Sequence, residues 1–537
     1  MQHTGGAWGS NPALCSANLG VCSCGDHRLC CYIARGQSDS GCFSHFRGRP
    51  VRSGTKPMNR IAGLETEYGC LTNTPAGSFI AVERVRDWIF GREEFGLIDV
   101  HHRDWDEPPG NGGFLFNGGR VYIDMGHLEY CTPECYSLLD ILKYDRAGDA
   151  LAVHALKSLG LAGEVSFIRN NIDHYTGATF GCHENYLVRR SAPLTETNVL
   201  SLLTFLTLRL LYTGAGRVGT TLAAEWRGEI SRPGSDGVFQ MSQRADYINN
   251  DLYEWVQFNR SIINTRDEPL GDPRKFRRLH LLHGDTSVLP ATVLLKVGTT
   301  SLMLDLLEIN HLPKVVLADA VKTFRAMSHQ PDGPWLVRLA DGRCTDAVEL
   351  LQRFFDAAWT EFHGRDTETD ILLDVWGSTL KALSAEPQAL IGKVDWITKR
   401  WLLKKFMEQE KIDWDDPWLK AQDLEFHHID PARSLGWAMS QPPPAWDLSD
   451  KTIEASVLEP PGNSRAHARS QIMHLLREHA PPYSIDWEII GVEGINPLNL
   501  LNPFDPSPPE LKTWFAEFSA ALKGNSMTRP SRRESGK

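Results

Sequence analysis

The run N-G-G-R-V-Y-I-D-M-G-H-L-E-Y, Asn117 to Tyr130, concentrates reactive side chains. Read as one strand, it puts Arg120, Tyr122 and Asp124 on one face and Val121 and Ile123 on the other, toward a core. A cation, a phenol and a carboxylate on one face make a poor packing surface. They make a good holder for a phosphate, a metal and a base or nucleophile. His127 and Glu129 follow within a few residues, and Glu129 adds another carboxylate to any metal cluster.

Other segments add to this chemistry. In R-I-A-G-L-E-T-E-Y-G (Arg60 to Gly69), Glu65 and Glu67 share one strand face, and carboxylate oxygens suit Mg²⁺. The plain alternative is a solvated strand face. G-C-H-E-N-Y brings His183, Glu184 and Asn185 together, either for metal or phosphate contacts or as a polar strand end bonded to a loop. Arg244, Arg266, Arg277 and Arg278 lie in polar patches between apolar runs, and arginine forks suit phosphate and carboxylate. T-G-A-G-R-V-G (Thr213 to Gly219) is Gly-rich but matches neither a P-loop nor a dinucleotide fingerprint. Several carboxylates, several arginines and no P-loop suggest an ATP·Mg enzyme with a sheet as its platform. Such a site moves a phosphoryl group onto a carboxylate and then lets an amine attack.

The elements that position these residues follow from pattern. Phe79–Phe90 reads as an amphipathic helix between Ser78 and Gly91, and Asp104–Gly113 as a loop. Leu138–Leu159 and Val199–Tyr212 read as helices, and Glu164–Asn170, Glu184–Arg189 and Arg277–Asp285 as strands. Leu294–Thr300 enters another helix, and Ala318–Gln422 is mainly helical. The Pro-rich Gln441–Trp446 marks a boundary. The expected organisation is a leader at 1–57, a large catalytic domain at 58–445, a small C-terminal domain at 446–523 and a polar tail at 524–537.

Composition bounds the function class. Over 537 residues, 42% apolar and 23% charged content is ordinary for a globular protein, and a net charge of -11 argues against a broad nucleic-acid or anionic-membrane surface. Val199–Tyr212 is apolar, but it is short for a membrane span and carries Arg209. Six of eleven cysteines (Cys15, Cys22, Cys24, Cys30, Cys31, Cys42) lie in the leader, without regular zinc spacing, although His27 and His45 stand nearby. The leader reads as an appendage or as sequence upstream of a start at Met58. Scattered thiols without a secretion signal suggest a reducing cytoplasm.

As a set these residues resemble the Pup ligase and Pup deamidase (depupylase) family; Pup is a prokaryotic ubiquitin-like modifier. The matching segments include G-L-E-T-E-Y-G, N-G-G-R-V-Y-I-D, H-L-E-Y-C-T-P-E-C, G-C-H-E-N-Y-L, S-Q-R-A-D-Y-I, I-I-N-T-R-D-E-P, L-K-V-G-T-T and D-P-W-L-K-A-Q-D-L-E-F-H, in family order from about Arg60 to Phe504. The resemblance implies an α+β fold like that of glutamine synthetase and the carboxylate–amine ligases. Its platform is a curved, mainly antiparallel sheet with flanking helices and a small C-terminal domain. It implies Mg²⁺ ligation by Glu65, Tyr122 and Glu129, ATP contacts from Arg120, Thr132 and Trp487, and Asp124 as the catalytic aspartate. The implied partners are a Pup-like modifier, lysine-bearing protein substrates and a bacterial proteasome, with no nucleic acid and no membrane.

The direction of the reaction divides the family. A ligase activates the terminal glutamate of Pup as a γ-glutamyl phosphate and joins it to a lysine; a deamidase acts on a terminal glutamine and cleaves the isopeptide bond. The short Cys70–Phe116 segment, Thr132 and L-L-N-P-F (Leu500 to Phe504) resemble ligases. The two-residue gap between Asp124 and His127, F-Q-M-S-Q-R-A-D-Y-I and T-G-A-G-R-V-G resemble deamidases. Leu128 and Leu270 stand where the family usually has proline and histidine, which implies a divergent member with a Pup-like modifier. The expectation is the ligase. The deamidase is second, a small-molecule carboxylate–amine ligase third and a non-catalytic scaffold last.

Overall fold

Leu64, Thr66 and Tyr68 alternate with Glu65 and Glu67, and this period of two folds Ala62–Thr72 into strand β1. The first three are buried; the glutamates lie on the opposite face, partly open. A computed structural model describes residues 60–73, 77–103, 107–174, 178–219, 239–254, 260–442 and 446–524. The leader cysteines, the boundary residues 443–445 and the tail from 525 lie outside the described residues.

β1 is the centre of a ten-stranded sheet. The other strands on its path are β2 (Gly96–Ile98), β3 (Gly112–Leu115), β4 (Arg120–Asp124), β5 (His127–Cys131) and β7 (Cys182–Arg189). They continue to β10 (Ile248–Tyr253), β11 (Arg260–Asn264) and β12 (Phe276–Leu281). The order is β10-β11-β12-β7-β1-β5-β4-β3-β2, with β6 (Val165–Ile168) pairing the end of β1. The pairs are antiparallel except β10 with β11. Beside it, β8 (Arg217–Val218) and β9 (Phe239–Gln240) form a short ribbon, as do β13 (Leu336–Arg338) and β14 (Cys344–Asp346). The fold class is α+β, as expected.

Asn117–Tyr130, expected as one strand, is a hairpin. β4 and β5 are joined by Met125 and Gly126, both at positive φ (44° and 94°). A two-residue type I′ loop, whose backbone follows the sheet's twist, needs positive φ at both positions. Met-Gly is a weak turn signal, and polar residues keep alternating across it, so one strand was the natural reading. Gly112 and Gly113, expected in a loop, begin β3. A Cβ there would strike the Tyr122 and Leu97 main chains of the neighbouring strands.

The helix expected at Phe79–Phe90 spans Gly77–Gly91, so Ser78 lies inside it. Val199–Tyr212 is two helices, Glu196–Leu208 and Leu210–Thr213, broken at Arg209. Pro290–Glu308, with Pro290 in its first turn, is long and apolar enough to cross a membrane, but its apolar window is wholly buried in the core. Gly298 lets it pack closely there: a Cβ would meet the Leu372 side chain at 2.6 Å.

A second apolar core joins the sheet edge to the C-terminal region. Leu97, Phe114 and Phe116 pack with Ile472, Met473 and Leu476 of helix Arg465–His479. They also meet Ile485, Ile490 and Leu498 from the three-stranded sheet β15 (Tyr483–Ile485), β16 (Ile489–Val492) and β17 (Leu498–Asn499). This packing sets the C-terminal residues against the face that carries the glutamates.

Candidate active site

Register decides which side chains meet. Glu67 lies opposite Glu129, and Glu129 opposite Tyr122, so the three form a row across β1, β5 and β4. Glu65 lies between Cys131 and His183, and Cys131 opposite Arg120. Direct cross-strand neighbours share a face. The sheet thus gathers Glu65, Glu67, Arg120, Tyr122, Asp124, Glu129 and His183 on one surface.

The donors fall into two groups. Glu67, Asp124 and Glu129 have carboxylate oxygens within 4.8 Å of one another; Glu65, His183 and His280 meet the same limit. Tyr122 donates its hydroxyl to Glu129 Oε1 at 2.7 Å. Glu129 Oε2 is buried with no hydrogen-bond partner. Burial, then the charges of Glu65, Glu67 and Asp124, push the Glu129 carboxyl well above the ordinary carboxylate range. Burial also pushes Glu65 up, but the adjacent His183 and His280 imidazoles outweigh it and hold that carboxyl well below its usual range. His183 Nδ1 is 3.0 Å and Asn185 Nδ2 2.8 Å from the Glu65 carboxylate. His280 Nε2 is 3.6 Å from it and otherwise unpartnered.

An all-oxygen cluster with an orphaned buried oxygen fits a hard divalent cation such as Mg²⁺, which would supply the missing positive charge. Glu67 and Glu129 would hold such an ion most directly, with Asp124 beside it. Glu65, with His183 and His280, offers a second, mixed set. Tyr122 bonds to a member of the first group through its hydroxyl.

Beside these donors lies a cleft of about 220 Å³, onto which Glu65 and Tyr122 face. Glu65, Arg120, Tyr122, Thr132 and Trp487 all line it, so five of the seven expected site residues share one cavity. Asp124 and Glu129 belong to the adjoining carboxylate group. Arg120 Nη2 is 3.0 Å from Asp99 and 2.5 Å from Glu107, and its guanidinium lies 4.3 Å from the Tyr122 ring centroid. Burial alone would lower its pKa; Glu107 and Asp99 outweigh that and raise it. Thr132 Oγ1 accepts from the Leu64 N–H at 3.0 Å. Trp487 is held edge-on by Phe114, centroids 5.0 Å apart, and Arg469 lies over its ring at 5.1 Å.

The other expected cations separate. Arg278 lines the cleft, whereas Arg266 pairs with Glu268 at the surface. Arg244 is buried near Glu67 and donates to the Phe180 carbonyl; burial and then the repulsion of Arg260 bring its pKa down to about 10. The G-C-H-E-N-Y cluster also divides. His183 and Asn185 face Glu65, while Glu184 points away into a bidentate pair with Arg209 at 2.5 and 2.9 Å. T-G-A-G-R-V-G serves packing, since a Cβ on Gly216 would meet Phe239 at 2.8 Å.

Three contributions were missed from sequence. His280 was signalled by period two with Arg278 on β12. The Asp99 and Glu107 pairing with Arg120 had no local signal. Neither did Glu134, which lines the cleft and is gripped by Arg465 and Arg469 at 2.6 Å each.

The sequence model described as Pup-ligase protein matches residues 60–491. A Pup--protein ligase of Mycolicibacterium smegmatis is 32% identical over 443 residues, covering 80% of this chain and 92% of that protein. A depupylase of Acidothermus cellulolyticus is 31% identical over 487 residues, covering 84% and 94%. The crystal structure of Pup in complex with its ligase PafA superposes with a TM-score of 0.71 at 29% identity, covering 88% of this chain and 96% of that one. PafA in complex with ADP gives 0.68 at 31% identity, covering 85% and 97%. The matched span includes every expected site residue from Glu65 to Trp487, and the chain belongs to the Pup-ligase family.

Proposed function

We propose that this protein is an ATP- and Mg²⁺-dependent ligase. It activates the terminal glutamate of a Pup-like modifier as a γ-glutamyl phosphate and joins it to substrate lysines, marking them for a proteasome in the cytoplasm. The observation that carries this reading is the junction of the two halves of the site. A cleft with Arg120, Tyr122 and Trp487 on its walls adjoins, through the Tyr122–Glu129 hydrogen bond, a carboxylate group that includes Asp124.

The chemistry follows from that junction. Arg120 orients the phosphates and offsets their charge, and Trp487 and the apolar lining take the base. A bound Mg²⁺ would screen the phosphates and lower the barrier to transfer. The modifier's γ-carboxylate attacks the terminal phosphorus, and ADP leaves. Asp124 then accepts a proton from the lysine ammonium, the free amine attacks the acyl carbon, and phosphate leaves.

The test is incubation with ATP, Mg²⁺, a Glu-ended modifier and a lysine-bearing target. New conjugate supports ligation. Loss of preformed conjugate with release of free modifier would replace it with depupylation. The two-residue hairpin between Asp124 and His127, together with the depupylase relative, is the specific observation behind that second reading.

A further inference from the structure

The end of the cleft remote from the Glu67–Asp124–Glu129 group has an apolar wall beside Arg278, and one residue of that wall is held in a conformation its type disfavours. Ile61, just before β1, stands four residues before Glu65, roughly 13 Å away. Ile61 accepts a backbone hydrogen bond from Leu187, and both line the cleft with Pro269, Leu270 and Pro503. Leu270 is half-buried with φ 47°, in the left-handed region where a Cβ crowds the main chain.

The neighbouring residue makes this placement informative. Gly271 follows and could take the left-handed turn freely, yet it is not among the residues at positive φ. Gly271 serves instead for close approach: a Cβ there would meet the Leu501 carbonyl at 3.1 Å, and Asp272 N–H donates to that carbonyl at 2.9 Å. This contact pins the loop to the C-terminal region. The turn therefore falls on a leucine, whose side chain is presented at the cleft. Strain kept at a ligand-facing position, with an unstrained alternative one residue away, marks a binding contact.

We infer that Leu270 is a binding residue for the purine base of the nucleotide, closing the apolar end of the cleft over it. The inference rests on the nucleotide reading above. The base is the only largely apolar part of such a ligand, and the phosphates are drawn to the end where Arg120 adjoins the carboxylate group fit for a divalent cation. Leu270 would therefore act on affinity and base preference and leave the transfer step alone.

Calorimetric titration of the whole protein tests this with two probes, ADP and inorganic tripolyphosphate, each with Mg²⁺. L270G and L270A should bind ADP about tenfold more weakly than the parent, the loss expected for one apolar side chain contact. Both should bind tripolyphosphate as the parent does, and L270M should restore ADP binding. L270G should melt within about 2 °C of the parent or higher, because it relieves the left-handed strain. Parent-like ADP binding by L270G, or equal weakening of both probes, overturns the inference. Failure of the parent itself to bind ADP or ATP would instead remove the nucleotide reading beneath it.

Discussion

The Tyr122 hydroxyl hydrogen-bonds Glu129 Oε1 at 2.7 Å, while the other oxygen of that carboxylate is buried and meets no donor. One half of Glu129 is therefore satisfied by the protein and the other half has no protein donor. Glu129→Gln should remove the repulsion among Glu65, Glu67, Asp124 and position 129. Without divalent metal, the variant should melt no lower than the parent. Adding Mg²⁺ should raise the melting temperature of the parent but shift the variant much less, and ligation should fall by about 100-fold or more. Thermal melts with and without Mg²⁺ check the first part. An equal Mg²⁺ shift in both proteins would rule out Glu129 as a ligand.

Asp124 closes β4 at the hairpin, opposite His127 and within the carboxylate group. If it readies the lysine amine, Asp124→Asn should abolish conjugate formation while ADP still binds, since Arg120 and Trp487 are untouched. The loss expected for a missing general base is about 10²–10⁴-fold. Conjugation assays and nucleotide titration on the same preparation provide the check; full activity in the variant would refute the role.

Arg120 is engaged by Asp99 and Glu107, so a nucleotide phosphate must compete with two carboxylates for one guanidinium. Glu107 is the more exposed of the two, at 24% against 4%. Glu107→Gln should therefore tighten nucleotide binding, by roughly threefold to tenfold, and Arg120→Ala should weaken it by more than that. Titration with ADP measures both. Weaker binding by the Glu107 variant would mean that the ion pair pre-organises Arg120.

The carboxylate half of this site was legible in the sequence because a strand writes its faces in period two. Glu65 with Glu67, and Arg120 with Tyr122, could be assigned to one surface before any fold was known. The hairpin was not legible, because the same alternation runs straight through Met125 and Gly126, and only their backbone φ values reveal the turn. The Trp487 wall of the cleft was legible only through the family resemblance. Trp487 reaches the cleft because the C-terminal region shares a core with Phe114, and no local pattern encodes a contact between strands and a helix more than 300 residues apart.

Glu134 is the clearest case of such a contact, and it links the cleft to pH. Its carboxylate takes Arg465 Nε and Arg469 Nη2 at 2.6 Å each, across 331 and 335 residues of chain. Burial pushes this carboxyl up, but Arg469 and Arg465 outweigh it and bring the pKa down to about 2. A carboxylate depressed in the fold contributes stability that is fully present above its unfolded pKa, near 4.5. That contribution declines as pH falls through 4.5 and is gone below about 2. Glu134→Gln would leave two buried guanidiniums without their shared counter-charge, at a cost of about 3–5 kcal/mol. The variant should show a lower denaturation midpoint at pH 7 and a flatter decline of stability between pH 4.5 and 2. Because Arg469 also lies over the Trp487 ring, nucleotide affinity should fall with it. Urea titrations at pH 7 and pH 3, paired with ADP binding at pH 7, read both effects. A variant as stable as the parent at pH 7 would show that the pair does not anchor the C-terminal wall of the cleft.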